Sequence, residues 1–522
     1  MSGRLISLLL VSCLSACTSL EPVPQSLSHE AYACMQRYSP DNDPMQKASG
    51  EAATESSFFR INQSREALEY RLALTDSATE SLDIQYFLWR ADDTGSLLIR
   101  QVLAAADRGV QVRMLIDDLD SINWEPLARA LNQHDNVEIR VFNPFLKGRG
   151  GWSQRGRELL IDLGRMNHRM HNKLFKADRT AAIVGGRNIG DEYFGAGYKL
   201  DYRDYDVIAI GPVVDELTES FDVFWSSDWS YPLENFPWGG QDNIGLKDLY
   251  AELDQRIAAS ELIEREYRFD SADWPSLIAD ARAQLSDGQS RAVYDCPPGQ
   301  GDQQFPVQTA FTLNQIAQQT QQEILIISPY VVPLQTIRDY FREASAAGIN
   351  ITILTNSLAA SDHTYAFSGY SKHRRELLET GVELRELRPD GPLWSEHKTE
   401  SSGATHVSLH AKLIIFDRRW VYVGSLNFDP RSVHWNTELG LLIDSTTFAE
   451  QIYQDFAGDL NPENSWRVEL RTTPQEDSGI EYEVTRLFWI AGGEEIDREP
   501  SRGVGQIISN WFYSLFPLDE QL

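Results

Sequence analysis

A histidine, a lysine and an aspartate recur at the same spacing in this chain, in two copies about 240 residues apart. The copies read His171-x-Lys173-x4-Asp178 and His410-x-Lys412-x4-Asp417. Histidine and lysine are scarce enough that composition alone predicts roughly 0.01 chance copies of this core. A single histidine–lysine pair is most often a surface pair, whereas a duplicated one indicates a functional site.

Each copy is followed by a short tail that contains glycine and ends in asparagine. The tails are Gly185-Gly186-x-Asn188 and Gly424-Ser425-x-Asn427, and the spacing from histidine to asparagine is the same in both. The asparagines therefore belong to the repeated pattern.

These residue types are suited to phosphate chemistry. An imidazole can act as a nucleophile or as a general acid and base near neutral pH. A lysine ammonium is a compact partner for phosphate oxygens, and an asparagine amide adds two donors. A histidine and a lysine two positions apart on a strand point to the same face, so both can reach one bound group. Two such sets facing each other would surround one phosphate and favour two-step phosphodiester chemistry.

A metal site is the alternative interpretation of this region. His168 and His171 lie three residues apart, as two metal ligands could. No third ligand stands at a convincing spacing, so we expect neither a metal nor another cofactor.

Strand, helix, glycine and strand precede each copy in the same order. Hydrophobic periodicity predicts strands over 82–89 and 110–116 around a helix over 96–108, and strands over 323–327 and 349–354 around a helix over 334–347. Further helices (125–132, 371–379), β-like runs (137–142, 382–387) and paired motif strands (173–176 with 181–184, 412–416 with 420–423) follow. We predict an α/β fold of two similar domains, each a mostly parallel mixed sheet flanked by helices. A pseudo-twofold axis would relate the domains and give them one shared site.

Composition and patterning divide the chain into four segments. These are a signal peptide (1–16), a tether and irregular arm (17–57), a first domain (58–288) and a second domain (289–522) that ends in an amphipathic segment.

The N-terminus has the features of a lipoprotein signal. Arg4 is followed by a short apolar run and by Leu14-Ser15-Ala16-Cys17, and the run is too short to span a bilayer. Small residues before a cysteine resemble a bacterial lipobox, in which Cys17 is lipidated and becomes the mature N-terminus. Thr18 and Ser19 after the cysteine imply sorting to the outer membrane in that class. We expect a lipid-anchored, periplasm-facing protein of the bacterial cell envelope.

Cys34 and Cys296 are the remaining candidate thiols once the signal is removed and Cys17 is lipidated. In an oxidising periplasm they could form a disulfide. Two unpaired, buried cysteines are the alternative.

A net charge of −30 repels polyanions at long range, so we expect no nucleic-acid partner. A basic cluster before the first motif fits either a patch for anionic lipid or a solvated loop paired with acidic neighbours. It comprises Lys147, Arg149, Arg155, Arg157, Arg165 and Arg169.

An apolar stripe near the C-terminus has helical spacing and could either enter a membrane interface or pack on its own domain. It comprises Ile507, Ile508, Trp511, Phe512, Leu515 and Phe516.

The paired motifs and tails resemble the phospholipase D superfamily, and longer segments are similar to bacterial cardiolipin synthases of the C type. These segments are RMHNK (169–173), GGRNIG (185–190), ILTNSLA (353–359), SLHAK (408–412), NFDPRS (427–432) and NTE (436–438). The resemblance covers roughly residues 60–522 and implies two phospholipase D-like domains.

The resemblance implies catalysis without a metal. One histidine attacks phosphorus to give a phosphohistidine, and the other protonates the leaving alcohol. It assigns His171 as the nucleophile and His410 as the acid and base. Lys173, Lys412, Asn188 and Asn427 would hold the charged phosphorus centre. The motif aspartates, Asp178 and Asp417, are expected to be structural supports.

The same resemblance implies an acidic residue downstream of each motif that fixes the histidine tautomer. Glu438 fits this role for the second copy, 28 residues after His410. Asp206 is the preferred counterpart in the first half, with Asp204 as an alternative.

We expect a phosphatidyltransferase that acts on membrane phospholipids such as phosphatidylglycerol, phosphatidylethanolamine or cardiolipin. A phospholipase D hydrolase has the same first step and uses water in the second. A nuclease of the superfamily and an inactive envelope scaffold are the remaining alternatives.

Overall fold

Apolar runs bounded by glycines and charged residues form the strands of this protein in a computed structural model. The structure describes residue 34 and residues 55–119, 124–145, 152–236, 244–267, 273–298, 308–400, 402–477 and 480–516. The predicted signal peptide, the lipidation site Cys17 and nearly all of the tether lie outside these residues.

The strands of the first half run in the order expected from the sequence. They are β1 (Glu55–Ile61), β2 (Ser81–Tyr86), β3 (Gln111–Asp117), β4 (Val137–Phe142), β5 (Arg169–Met170), β6 (Leu174–Ala177), β7 (Ala181–Gly185), β8 (Leu200–Arg203), β9 (Asp206–Ile210) and β10 (Ser230–Pro232).

The second half repeats this series and extends it with a long hairpin. Its strands are β11 (Ser286–Tyr294), β12 (Glu323–Ile327), β13 (Asn350–Asn356), β14 (Glu383–Leu387), β15 (His406–Leu409), β16 (Leu413–Phe416), β17 (Trp420–Gly424), β18 (Asn436–Thr437), β19 (Leu439–Asp444), β20 (Ser465–Asp477), β21 (Ile480–Ala491) and β22 (Glu494–Ile496).

Helices connect the parallel strands and cover the sheet. In the first half they are α1 (Ser64–Ser77), α2 (Asp93–Asp107), α3 (Glu125–Leu131), α4 (Trp152–Ile161), α5 (Leu163–Asn167), α6 (Val213–Trp225), α7 (Leu246–Ala259) and α8 (Trp274–Ala283). In the second half they are α9 (Gln308–Ala317), α10 (Gln335–Ala346), α11 (Thr364–Glu379), α12 (Trp394–His397), α13 (Pro430–His434), α14 (Thr446–Ala457) and α15 (Val504–Ser514).

Hydrogen bonding joins the strands of both halves into one continuous run. The first half pairs in the order β10-β4-β3-β2-β6-β7-β9-β1. The second half pairs in the order β11-β19-β17-β16-β12-β13-β14-β20-β21-β22. The antiparallel pair of β1 with β11 joins them at the centre. Reading outward from this pair gives equivalent strands on both sides, as a twofold relation between the halves requires.

The predicted α/β class and the duplication are confirmed, and the pairing refines the prediction. Within each half of the duplication, the parallel strand pairs are those of β2-β3-β4 and β12-β13-β14, and the other strand pairs are antiparallel. The first strand also begins at Glu55, within the predicted arm, and β11 crosses the predicted boundary after residue 288.

Two short parallel pairs cross between the halves and bear directly on the motifs. Strand β5, just before the first motif, pairs with β18 of the second half. Strand β8 of the first half pairs with β15, just before the second motif. Each motif is therefore fixed to the opposite half of the molecule.

A hydrophobic core shared by both halves lies behind the central strands. Val207 of β9 and Leu441 of β19 are buried there with Phe221 of α6 and Phe448 of α14. Burial of such side chains contributes about 1.5–3 kcal/mol each. The halves are therefore held together by a common core as well as by the central strand pair.

Cys34 and Cys296 form a disulfide, with their Cα atoms 6.0 Å apart. Of the two alternatives that the sequence left open, the structure selects the covalent link between the arm and the second half. Among the described helices, none is both long enough and apolar enough to cross a membrane.

Candidate active site

The first motif lies in the linker between β5 and β6. The prediction that its histidine and lysine lie within a strand is wrong, because β6 begins one residue after Lys173. The His171 N–H instead donates to the Thr437 carbonyl of β18 at 2.9 Å. The pairing of β5 with β18 therefore sets the position of His171.

The second motif is held in the equivalent way. Residues 410–412 form the linker between β15 and β16. The His410 and Ala411 N–H groups both donate to the Arg203 carbonyl at the end of β8, at 2.8 and 3.1 Å. The two histidines are thus presented by matching crossings between the halves.

Each motif histidine is paired with a carboxylate from the opposite half. His171 Nδ1 lies 2.9 Å from Glu438 Oε2, and His410 Nδ1 lies 2.5 Å from Asp204 Oδ2. A neutral ring that donates from Nδ1 keeps its Nε2 lone pair. Both imidazoles are therefore in the tautomer that a nucleophile or a base at Nε2 needs.

The choice of Asp206 as a tautomer-fixing residue needs correction. Asp206 forms a buried ion pair with Arg71 at 2.9 Å. Asp204 orients His410 and Glu438 orients His171, so the predicted pairing of each carboxylate with the histidine of its own half is also wrong. Strand register explains the error at Asp206, since Asp206 lies opposite Gly185 and Gly440 opposite Gly424. Asp206 is thus the equivalent of Gly440, and Asp204, two residues earlier, is the equivalent of Glu438.

The sequence did contain a signal for Asp204. It follows His171 by 33 residues and Asp206 follows it by 35, against 28 from His410 to Glu438. The spacing of Asp204 from its motif histidine is closer to that of Glu438, which favours Asp204 over Asp206. Each carboxylate orients the histidine of the opposite half, and this could not be predicted from one sequence. It depends on how β5 and β8 pair with strands of the other half.

Both motif lysines are buried beside their histidines. Lys173 Nζ donates to the His171 carbonyl at 2.7 Å, and Lys412 Nζ donates to the His410 carbonyl. Burial, followed by the charge of Lys412, lowers the pKa of Lys173 to about 7. Burial lowers the pKa of Lys412 to about 8, against the opposing effect of Asp204. Two buried ammonium groups that repel each other make this site favourable for an anion.

Electrostatic coupling shows that the two motifs form one site. Burial and then Lys173, Lys412 and His410 lower the pKa of His171 well below its usual value. Burial and Lys412 lower the pKa of His410 to about 4, although Asp204 acts in the opposite direction. Without a bound anion, both imidazoles are neutral at pH 7.

The two carboxylates differ in their surroundings. Burial raises the pKa of Glu438 to about 7, against hydrogen bonds from Ser425 and Ser432. The pKa of Asp204 is held well below its usual range by His410 and Lys412, and also by Arg187, despite burial. Asp204 therefore stabilises a positive charge on its histidine more than Glu438 does.

Gly186 makes room for Asp204. A Cβ at this position would lie 2.2 Å from Asp204 Oδ1, which is far inside contact distance. The second tail has Ser425 instead, and its hydroxyl donates to Glu438 Oε2 at 2.5 Å. The glycine–serine difference between the tails therefore follows from the placement of the two carboxylates.

Both tail asparagines keep an unused amide atom within the site. Asn188 Oδ1 and Asn427 Oδ1 are buried, and no group among the described residues hydrogen-bonds to either. Asn188 Nδ2 donates to the Tyr193 hydroxyl at 3.0 Å. Rotating this amide by 180° lets Tyr193 donate to Oδ1 and frees Nδ2 for a ligand oxygen. Asn188 can thus act as the predicted donor.

The motif aspartates lie away from the histidines, at the turns that follow β6 and β16. The Asp178 carboxylate accepts the N–H groups of Thr79, Glu80 and Ser81 at the start of β2. Asp417 accepts those of Gln321, Gln322 and Glu323 at the start of β12 in the same way. Each carboxylate thereby joins two strands of its half, an arrangement that fits a structural support.

Aromatic side chains that the motif analysis did not identify line the site. The His171 ring is 5.1 Å from the Phe87 ring, and the His410 ring is 4.9 Å from the Tyr202 ring. Phe87 falls within the predicted strand over 82–89.

Asp295 is a second residue that the motifs do not reveal. Its carboxylate accepts the Glu438 N–H at 2.9 Å, and its own N–H donates to the Glu438 carbonyl at 3.0 Å. It therefore fixes the backbone of the residue that orients His171.

His168 and the basic cluster have structural partners. His168 Nδ1 lies 3.2 Å from the Trp435 carbonyl. Arg155, Arg165 and Arg169 pair with Asp118, Glu158 and Asp117, respectively. These pairs favour the loop with acidic neighbours over the lipid patch; Lys147 and Arg149 lie outside the described residues.

Known proteins are similar in sequence to most of this chain. The family model described as "Cardiolipin synthase, PLD-like domain" matches residues 72–225 and again residues 313–460. Cardiolipin synthase C of Escherichia coli (strain K12) is 36% identical over 410 residues, covering 76% of this chain and 83% of the relative. An uncharacterized protein of Helicobacter pylori (strain J99) is 30% identical over 409 residues, covering 78% and 79%.

A solved structure has a similar fold. The crystal structure of phosphatidylserine synthase from Haemophilus influenzae Rd KW20 matches with a TM-score of 0.55. The match covers 78% of this chain and 87% of that chain at 15% sequence identity. At that identity the likeness concerns the fold.

Proposed function

Because the chain belongs to the cardiolipin synthase-like family of the phospholipase D superfamily, we propose that it is a phosphatidyltransferase acting on membrane phospholipids. The observation that carries this proposal is the pair of buried histidines, each oriented through Nδ1 by a carboxylate of the opposite half. A phosphodiester that enters between them meets two imidazoles, two ammonium groups and two amides.

The first step is attack of His171 Nε2 on phosphorus. A P–N bond forms and the bond from phosphorus to the headgroup oxygen breaks, while His410 Nε2–H gives its proton to the leaving alkoxide. The products are a phosphatidyl-histidine and a free alcohol. In the second step His410 takes a proton from an incoming alcohol, whose oxygen attacks phosphorus as the P–N bond breaks.

Electrostatics support this division of roles. The nucleophile must be neutral, and His171 lies beside two lysines and a carboxylate with a raised pKa. The acid must carry a proton, and His410 faces Asp204, whose pKa is lowered. A bound phosphodiester anion adds negative charge and so raises the pKa of His410 from its lowered value, which favours its protonation.

Charge that develops on the phosphoryl oxygens is stabilised by groups already in place. Lys173 and Lys412 are held by backbone carbonyls, so they need little reorganisation when the substrate binds. Asn188 and Asn427 add neutral donors. Removing one such donor typically costs about 10²–10³-fold in turnover.

Two lines of support favour a phospholipid as the substrate. Two relatives with similar chains or folds are named for phospholipid synthesis. The lipobox at Cys17, together with the acidic net charge of −30, is more compatible with a membrane substrate than with nucleic acid. We place the protein in the cell envelope, anchored by Cys17 and facing the periplasm.

Product analysis tests this function directly. Purified protein is incubated with phosphatidylglycerol and phosphatidylethanolamine, and the lipids are separated. Cardiolipin supports the transferase, phosphatidic acid alone supports the hydrolase, and no lipid turnover contradicts both. His171→Ala and His410→Ala should each abolish turnover, whereas His434→Ala, at an exposed histidine, should not.

A further inference from the structure

Helix α15 places an apolar surface in solvent. None of its residues is buried, and all of them are described. Ile508 is 59% exposed and Trp511 61% exposed, as is Leu515 just after the helix, also at 61%. Residues 503–516 contain no Asp, Glu, Lys or Arg, although 24% of the chain is charged. A solvated surface helix normally carries charges, so this composition indicates a different environment.

Contacts at both ends hold the helix against the second half. The Ala359 N–H donates to the Pro500 carbonyl at 3.1 Å, and Arg502 Nη2 donates to the Ser361 carbonyl at 2.9 Å. At the other end, Lys372 Nζ of α11 donates to the Phe516 carbonyl at 2.8 Å. The apolar face is therefore exposed although the helix itself is fixed.

The segment that anchors the helix leads directly to the catalytic groups. Ser361 precedes Asp362, whose carboxylate accepts the hydroxyls of Tyr202 and Tyr330 at 3.0 and 2.9 Å. The Tyr202 ring contacts the His410 ring. Tyr365, 44% exposed, continues the apolar surface and contacts Tyr513 of the helix, with ring centroids 6.4 Å apart.

We infer that this surface, comprising the exposed side chains of α15 with Leu515, Phe516 and Tyr365, docks on the surface of a phospholipid bilayer beside the active site. The inference deepens the proposed function and rests on it. At 11 residues α15 is too short to span a bilayer, and it therefore lies in the plane of the interface. Trp511 and Tyr513 are suited to the headgroup level.

The chemistry of the neighbouring site indicates that a phospholipid bilayer is what binds this apolar surface. A substrate with two acyl chains is withdrawn from a bilayer most readily where apolar protein surface replaces lipid beside the catalytic groups. The continuity from α15 through Asp362 to His410 provides such a place. The link through Asp362 and Tyr202 to His410 favours a membrane surface over a dimer interface, because a membrane surface supplies the substrate of that site.

Vesicle flotation measures docking without turnover. The full chain carrying Cys17→Ser, so that no acyl anchor contributes, is floated with vesicles of phosphatidylglycerol and phosphatidylethanolamine. The double substitution Ile508→Glu with Trp511→Glu should reduce the floated fraction at least about tenfold, because neither position then has an apolar side chain to bury in the bilayer. The control is Phe311→Glu, at an exposed aromatic residue of α9, and it should float like the parent. The inference would be overturned if the double variant floated like the parent. It would also be overturned if the double variant lost self-association and kept its flotation.

Turnover then connects docking with catalysis. The double variant should lose at least about tenfold on vesicle lipid and keep its rate on monomeric dihexanoyl-phosphatidylglycerol. Equal losses on both substrates would assign the helix to folding or to the catalytic site and refute a docking role. If the parent protein turns over neither lipid, the proposed function fails, while flotation still decides the docking.

Discussion

His410 Nδ1 lies 2.5 Å from the carboxylate of Asp204, a residue that belongs to the opposite half of the chain. The matching contact joins His171 to Glu438. Neither half therefore contains a complete catalytic pair. The site exists only where β5 pairs with β18 and β8 pairs with β15.

Asp204→Asn should reduce kcat by about 10³- to 10⁴-fold with little change in unfolding temperature. An amide can stabilise neither the imidazolium of His410 nor its required tautomer. Turnover of phosphatidylglycerol vesicles and a thermal melt measure the two quantities.

The matched control for Asp204→Asn is Asp206→Asn, two residues away. It breaks the buried ion pair with Arg71 and should lower the free energy of unfolding by about 3–5 kcal/mol. Turnover per folded molecule should persist. If this variant lost kcat as severely as Asp204→Asn, the assignment of the two aspartates would be wrong.

A lipid donor whose leaving group needs no proton should distinguish the roles of the two histidines. With a phosphatidyl p-nitrophenol ester, His410→Ala should still release one equivalent of p-nitrophenol in a burst, because His171 can attack unaided. His171→Ala should give no burst. Rapid mixing with absorbance detection measures the burst, and a burst from His171→Ala alone would reverse the roles.

Asp178→Ala and Asp417→Ala should each lower the free energy of unfolding by about 1–3 kcal/mol, since each leaves strand N–H groups without their carboxylate. Backbone conformation adds to the loss, because both positions have positive φ, 52° and 49°, which alanine adopts poorly.

Asparagine at either position is the matched control, since it tolerates positive φ and keeps one acceptor. The Asp178→Asn and Asp417→Asn variants should be intermediate in stability in urea denaturation. A large loss of kcat in folded alanine variants would show that these aspartates take part in catalysis after all.

The value of kcat/KM should fall as pH rises through about 7 to 8. Burial lowers the pKa of Lys173 to about 7 and that of Lys412 to about 8, so the ammonium form is present below these values and lost above them. Because kcat/KM reports groups of the free enzyme, both lysines contribute to this alkaline limb. An activity profile that stays level to pH 9 would contradict the role of the lysines. In the Lys412→Arg variant, which keeps its positive charge, kcat/KM should still fall with rising pH through Lys173 but should lack the later part of the fall that Lys412 causes.

Reduction of the Cys34–Cys296 disulfide should lower the free energy of unfolding by about 2–5 kcal/mol. The link spans 262 residues, and opening so long a loop increases the entropy of the unfolded chain. Urea denaturation with and without dithiothreitol measures the loss. The Cys34→Ser variant should behave like the reduced protein and be insensitive to the reductant.

The duplicated architecture and most residues of the candidate site could be predicted from local features of the sequence. Period and spacing place His171, Lys173 and Asn188 in one repeat and His410, Lys412 and Asn427 in the other. Local signals suffice here, because apolar periodicity reports burial and a duplicated motif reports a duplicated fold. Glu438 was implied by the resemblance to the family, which assigned it to His410, whereas the structure pairs it with His171.

Which of these groups lie together depends on tertiary contacts that local sequence features do not report. Partner choice between the halves, Asp204 in place of Asp206, and the support of Glu438 by Asp295 depend on strand register and on crossings between residues far apart in the chain. A shift of two residues keeps a strand's facing pattern unchanged, so periodicity cannot distinguish these aspartates. The exposure of Trp511 was equally open, because an apolar helical stripe looks the same in a sequence whether it packs on its own domain or faces outward.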